Sequence, residues 1–239
     1  HRPRTATPVG VRRILGMTIT LAQARTKLRL RLDELTSGAW TDAQLDEWLK
    51  DGARDISRRT MSLQSTTITS VSAGAATVFA TGIKVNMVKW YSPTKSTATR
   101  ERVLEYIDHR QANRVMNSTD TGDPLYYSTW GPPPAISVSM HPKPDAACEI
   151  EVYYYRVAID PINDAAQMDI PDGWNDVLML FAEYSAQKRD RQKEWSETKA
   201  LYEQAVEGMI ESTAMWAEAT QTIQMPDGGQ YPGWLTSWE

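Results

Sequence analysis

The sequence predicts an α+β protein: a helical bundle of N- and C-terminal helices with an inserted antiparallel β-rich module. Three observations carry that expectation. Apolar residues recur every three or four positions between residues 20 and 62, the period drops to two near Ser65, and helical spacing resumes after residue 172. Strands bracketed by helices leave the terminal helices to cover one another. Five segments follow: a basic arm over 1–19, a helical hairpin over 20–62, a β-rich insertion with one helix over 63–160, long helices over 161–220 packing on the first pair, and an extended aromatic tail over 221–239.

Each element has a local cause. Residues 20–36 read as a helix because Thr20 and Gln23 form a capping box, and Leu21, Ala24, Leu28, Leu32 and Leu35 share a face until Ser37-Gly38. A second box, Thr41 with Gln44, opens a helix carrying Leu45, Trp48, Leu49, Gly52 and Ile56, with Trp40 placed to staple onto Leu45. Strands follow over 66–71, 77–79 and 83–90, separated by Ala73-Gly74 and Thr81-Gly82 turns. The run 99–116 reads as a helix with Leu104, Ile107, Gln111 and Val115 along one side. Strands resume over 125–130, 135–141 and 148–158; in the last, Cys148, Ile150, Val152 and Tyr154 oppose Glu149, Glu151, Tyr153 and Tyr155. Asp172 caps a helix bearing Trp174, Val177, Leu178, Phe181 and Tyr184. A long helix over about 191–219 sets Trp195, Thr198, Tyr202, Ala205, Met209, Ser212 and Trp216 at 3-4 spacing, a coiled-coil-like seam. The Gly/Pro-rich stretch after Met225 cannot be helical.

Composition narrows the function. The 239 residues are 41% hydrophobic and 23% charged, a folded rather than disordered balance. One cysteine, Cys148, excludes an intrachain disulfide framework and a multi-cysteine zinc site, and the three histidines are widely spaced. No apolar run has the ~20 residues of a membrane helix, so a water-soluble chain without a membrane partner is expected. The net charge of −4 hides an asymmetry: residues 1–31 hold eight cations and no acid, while residues 190–239 hold three cations and nine acids. Opposite charges at the two ends suit head-to-tail attraction between copies, or an arm reaching nucleic acid. On that ground Arg25, Lys27, Arg29, Arg31, Glu203, Glu207 and Glu211 are candidates for a lateral or DNA-facing electrostatic interface, and Arg2, Arg4, Arg12 and Arg13 for a basic arm. Tyr231, Trp234, Leu235 and Trp238 cluster in a segment with no structure of its own and read as docking anchors on another chain.

Signs of catalysis are weak. The phosphate-loop, dinucleotide, nucleophile-elbow and zinc-protease motifs are absent. Asp108-His109 beside Glu105 is an acid–histidine pair without a nucleophile, Cys148 sits on a strand alternation as a core residue, His141 ends a strand, and Glu149 and Glu151 share a strand face as solvated acids do. No enzyme, no metal and no cofactor are expected. Nine Trp and ten Tyr against two Phe leave a second reading. In it Trp90-Tyr91, Tyr126-Tyr127, Trp130 and Tyr153 to Tyr155 stack glycan or nucleic acid on the β-module. An undetected hydrolase is a third.

The order of these elements resembles a known family. The run 99–116 precedes Asp123-Pro124-Leu125-Tyr126-Tyr127; then come Ile136 to Met140 with His141-Pro142-Lys143-Pro144, Glu149 to Arg156, and Ile170-Pro171-Asp172-Gly173-Trp174 at the closing helix. Over roughly 20–220 this resembles the head-to-tail adaptor proteins of tailed bacteriophages, the connector or neck group that includes tail tubular protein A. The resemblance implies a non-enzymatic ring, typically of twelve subunits, beneath the portal. Such a ring joins the portal to tail or nozzle proteins and surrounds the channel for DNA passing without sequence specificity. It implies a virion location, after assembly in the host bacterial cytoplasm, and no cofactor. The arm 1–19 and the tail 220–239 have no counterpart in it.

Overall fold

The computed structural model describes residues 19–34, 39–115, 120–171 and 173–223, with the backbone alone at 113–115 and 214–223. In chain order the elements are α1 (Leu21–Arg31), α2 (Asp42–Thr60), β1 (Gln64–Val71), β2 (Thr77–Thr81), β3 (Lys84–Ser92), β4 (Arg100–Tyr106), α3 (His109–Val115), β5 (Tyr126–Trp130), β6 (Ala135–His141), β7 (Cys148–Tyr155), α4 (Asn175–Arg189) and α5 (Trp195–Ile223). The chain is α+β, with strands in the middle of the sequence and the longer helices at its ends.

Both capping boxes form. Thr20 Oγ1 accepts from Gln23 N (3.3 Å) while Gln23 Oε1 accepts from Thr20 N (3.1 Å), and Thr41 and Gln44 repeat the exchange at 3.4 and 3.0 Å. α1 stops at Arg31, earlier than Ser37-Gly38 suggests, because Asp33 takes a left-handed backbone (φ 54°). Leu35, Ser37 and Gly38 lie outside the described residues, as does Asp172; at α4 it is Trp174 that stands in the N-cap position, with no side-chain cap bond. α4 packs on α1, α2 and α5. Their shared core holds Leu28, Leu45, Leu49, Ile56, Leu178, Met179, Tyr202 and Val206, all essentially sealed from water. Burying each such large side chain favours folding by about 1.5–3 kcal/mol. Gly52 lets α2 and α4 approach: a Cβ there would lie 2.9 Å from both Leu178 Cδ1 and Phe181 Cδ1.

The seven strands lie in the order β1-β7-β3-β4-β5-β6-β2. Pairing is antiparallel except between β4 and β5, which run parallel through Glu105 with Tyr126 and Tyr106 with Tyr127. β4 is the joint of the sheet: residues 100–104 pair with β3 and residues 105–106 with β5. Side chains from both halves meet in one interior, with Val88, Trp90, Ile150 and Val152 from one and Val78, Tyr127, Val138 and Met140 from the other. The alternation expected on β7 holds for its core face: Cys148, Ile150, Val152 and Tyr154 all point inward.

The run 99–116 is not one helix. Its first half is β4 and only His109–Val115 is helical. Leu104 is the one buried residue of β4 and sits opposite Val88, and Tyr106 packs edge-on against Tyr127 of β5, so the run joins the sheet through these few apolar contacts and its backbone ladder. That ladder outweighs the helical spacing of Leu104, Ile107 and Gln111, which is too sparse to bury a helix face. Asp108 then starts α3, its Oδ1 accepting from Arg110 N at 2.9 Å.

Two forked ion pairs clamp the sheet to the helices. Arg54 of α2 grips Asp160 through Nε (3.0 Å) and Nη2, and Arg156 after β7 grips Asp169 through Nη1 and Nη2 (3.0 Å), while Asp169 Oδ2 also accepts from Ile159 N (2.7 Å). Ser57 Oγ accepts from Ala158 N at 2.9 Å, which ties the same crossing to the interior of α2. Bidentate geometry fixes orientation as well as distance.

Candidate functional site

The basic face of α1 spends most of its charge inside the chain. Arg25 Nε and Nη2 donate to Asp46 of α2 at 2.8 and 2.7 Å, and Nη2 also donates to Asp164 at 2.8 Å. The Asp46 and Asp164 bonds hold the guanidinium well above its ordinary value, against a smaller opposing effect of burial. Arg29 donates to Asp42 (2.6 Å) and to the Trp40 carbonyl (3.1 Å), and faces Glu34 at 3.4 Å. Arg31 reaches Asp176 and Glu183 on α4. Lys27 has no ion-pair partner among the described residues. On α5, Glu203 accepts from Arg59 of α2 at 2.6 Å, whereas Glu207 and Glu211 stand exposed. Among the described residues the cations of α1 and the acids of α5 are therefore not brought together within one chain. The arm residues Arg2, Arg4, Arg12 and Arg13 and the tail residues Tyr231, Trp234, Leu235 and Trp238 lie outside the described residues.

The α5 seam holds from Thr198 to Met209: Thr198, Tyr202 and Val206 are buried and Ala205 and Met209 pack on the core, whereas Trp195 is half-buried outside that core, Ser212 is exposed, and the Trp216 side chain lies outside the described residues. Tyr202 sits against Phe181 and Tyr184 and donates to Asp55. Burial and that hydrogen bond push its phenol well above the usual range.

The β-module holds two polar clusters. Glu151, expected on a solvated face, is only 3% exposed. Burial would raise its pKa, yet Lys95 Nζ (2.6 Å) and the Tyr91 hydroxyl (2.7 Å) both donate to it, and the net effect lies below the ordinary 4.5. Lys95 comes from the loop between β3 and β4, whose backbone N–H also donates to Glu149 at 2.8 Å. No local pattern marks this site, because its parts are more than fifty residues apart. The second cluster joins both expected histidines. Ser128 Oγ, wholly buried, lies 3.0 Å from His141 Nε2 and 3.5 Å from His109 Nδ1. Burial, then the neighbouring His109, lowers the His141 pKa from its ordinary 6.5. Asp108 is occupied by the start of α3, and Ser128 is fully buried between the two imidazoles, so this group ties β5 to β6 and α3. Cys148 is buried, and burial pushes its thiol up. Among the described residues no three His, Cys, Asp or Glu side chains are placed to hold a metal.

Of the aromatic residues of the β-module, Trp90, Tyr91, Tyr127 and Tyr154 are buried, and Trp130 is exposed with His109 stacked on it at 6.0 Å. Trp130 and Tyr106 flank a cavity of about 540 Å³ that is also lined by Lys84, Val85, Asn86 and Thr129.

With helices, sheet and clamps in place, comparison with known families decides the class. The profile described as SU10 adaptor protein matches residues 19–227, which spans α1 to α5 and the whole β-module. The chain belongs to the SU10 adaptor protein family. It is a phage head–tail adaptor, a structural component of the virion, and the matched span covers the region 20–220 where element order suggested such a protein. No curated protein matches this adaptor. Among its described residues no helix is long and apolar enough to cross a membrane.

Proposed function

We propose that this adaptor forms a closed ring, of twelve copies by the resemblance to tail tubular protein A, that sits beneath the portal and joins it to tail or nozzle proteins around the DNA channel. The observation that carries this reading is the family match over residues 19–227. The helices make the body of the ring as a bundle, the β-module faces a tail component or a neighbour, and the tail residues Tyr231, Trp234, Leu235 and Trp238 anchor on the portal or an adjacent subunit. The role is mechanical, without catalysis, metal or cofactor, and assembly precedes release from the host bacterial cytoplasm.

Internal pairing at Arg25, Arg29, Arg31 and Glu203 leaves Lys27, Glu207, Glu211 and the arm arginines as the charges with most to offer a neighbour or the DNA backbone. Exposed pairs of this kind are individually weak and screened by salt. Light scattering across a salt series, with and without portal, tests the reading. The expected result is a ring-sized species, formed alone or on adding portal, that weakens as ionic strength rises. A monomer that ignores portal at every salt concentration overturns it. Exposed Trp130 and Tyr106 keep the stacking alternative alive, and quenching of tryptophan fluorescence by an oligosaccharide or a single-stranded oligonucleotide would favour it instead.

A further inference from the structure

We propose that the fork between β3 and β5 is an acceptor slot for an extended segment, and that its occupant is residues 230–239 of a neighbouring copy. The slot follows from where β4 ends. β4 pairs with β3 only from Val88 onward and with β5 only at Tyr126 and Tyr127. The last bond of that parallel ladder is Ile107 N to the Tyr127 carbonyl at 2.9 Å, after which Asp108 turns the chain into α3. Two strand edges are left facing each other without a strand between them: residues 84–87 of β3 and residues 128–130 of β5. The alternation of strand backbone groups aims Thr129 N–H and C=O to the same side as the Tyr127 carbonyl, into the gap. The 540 Å³ cavity lies there, with Val85, Tyr127 and Ile136 as a buried floor and Tyr106 and Trp130 as rims, 59% and 58% exposed. A segment laid along the line of β4 would run antiparallel to β3 and parallel to β5. Open edges of this kind are where a sheet accepts an added strand.

The occupant is argued from reach, charge and pattern, and rests on the reading that copies of this chain assemble. Trp234 is eleven residues past the end of α5, a reach of about 36 Å when extended. Residues 224–239 contain Asp227 and Glu239 and no cation, opposite Lys84 at the slot. In an extended conformation Trp234, Thr236 and Trp238 share one face, which suits the two aromatic rims. The neighbour is favoured because α5 packs on α2 and α4 and continues fourteen residues, about 21 Å, past Met209, so the tail departs from a point displaced from its own helices. One donor tail and one acceptor slot per chain is a heterologous contact, the kind that closes into a ring.

Disulfide trapping in the full chain tests this. Cys148 is buried and silent, so Thr129→Cys combined with Thr236→Cys supplies the reactive thiols; Asn86→Cys with Thr236→Cys is a second acceptor should the first not fold. Mild oxidation should give a ladder of covalent multimers in either double variant and none in the single variants or in Ser70→Cys with Thr236→Cys. Adding Trp130→Ser should reduce the trapped fraction about tenfold. A bond formed only within one chain, or no bond in either double variant while light scattering shows assembly, overturns the slot and leaves the ring standing. A chain that stays monomeric even with portal overturns both.

Discussion

The helical layer and the β-module meet water in different ways. In the helices five of the six arginines of α1 and α2 find carboxylates within their own chain, and the exposed large apolar residues are the scattered aliphatics Leu30, Leu201 and Ile210. In the strands and their loops the exposed set is Ile68, Phe79, Val103, Tyr106, Leu125 and Trp130, with Ile159 and Ile162 exposed on the segment that leads back to the helices, and every large aromatic ring found exposed among the described residues belongs to the β-module. Scattered aliphatics are ordinary surface, whereas clustered aromatics beside open strand edges mark unspent binding capacity. The comparison teaches that the two layers offer a partner different chemistry: internally paired charge and scattered aliphatics on the helices, exposed aromatic rings on the sheet.

The largest test of this contrast is whether the two cores behave as one. Leu178→Ala in the helices and Ile150→Ala in the sheet should each cost about 3–4 kcal/mol, since both side chains are fully buried. Calorimetry should show a single transition moved down, because the Arg54–Asp160 and Arg156–Asp169 clamps couple the layers; two separated transitions would break that coupling.

Next in size, Arg25→Gln should cost about 2 kcal/mol by stranding the half-buried Asp46, with chemical denaturation as the readout. If Arg25 is scaffold, the association state should not change; a variant that keeps its stability but loses assembly would return Arg25 to the interface.

Glu151→Gln should cost about 1–2 kcal/mol in the same assay, through its bonds to Lys95 and Tyr91. The wild-type bonus from Glu151 has a definite sign with pH. Its folded pKa lies below 4.5, so the contribution is complete above 4.5 and vanishes as pH falls through the lowered value, whereas the variant should lack that acid-range loss.

His141 gives a smaller change at milder pH. Its folded pKa is depressed by burial, so its contribution is complete above 6.5 and declines as pH falls through the folded value; His141→Gln should flatten the melting temperature between pH 7 and pH 5. Smallest of all, Trp130→Ser should alter thermal stability by no more than about 0.5 kcal/mol, because its ring is largely in water. A large loss there would show that the ring is part of the core and not a binding surface.

Much of this architecture was readable from short-range chemistry. Two capping boxes, the even-numbered core face of β7 and the α5 seam through Met209 are all decided by residues within a few positions of one another. What was not readable depends on partners far along the chain. Arg25 looked available because Asp46 and Asp164 are 21 and 139 residues away. Glu151 looked solvated because Lys95, on a distant loop, is what covers it. The run 99–116 carried helical spacing, yet pairing with β3 decided its first half. The gap beside β5 has no sequence signature at all, since it is made by where β4 stops.

The most direct test of the central claim is electron microscopy of this adaptor mixed with its portal. Class averages should show a closed ring of identical subunits stacked on the portal around an open channel. Portal particles that carry no added ring, with the adaptor remaining as single copies, would contradict it.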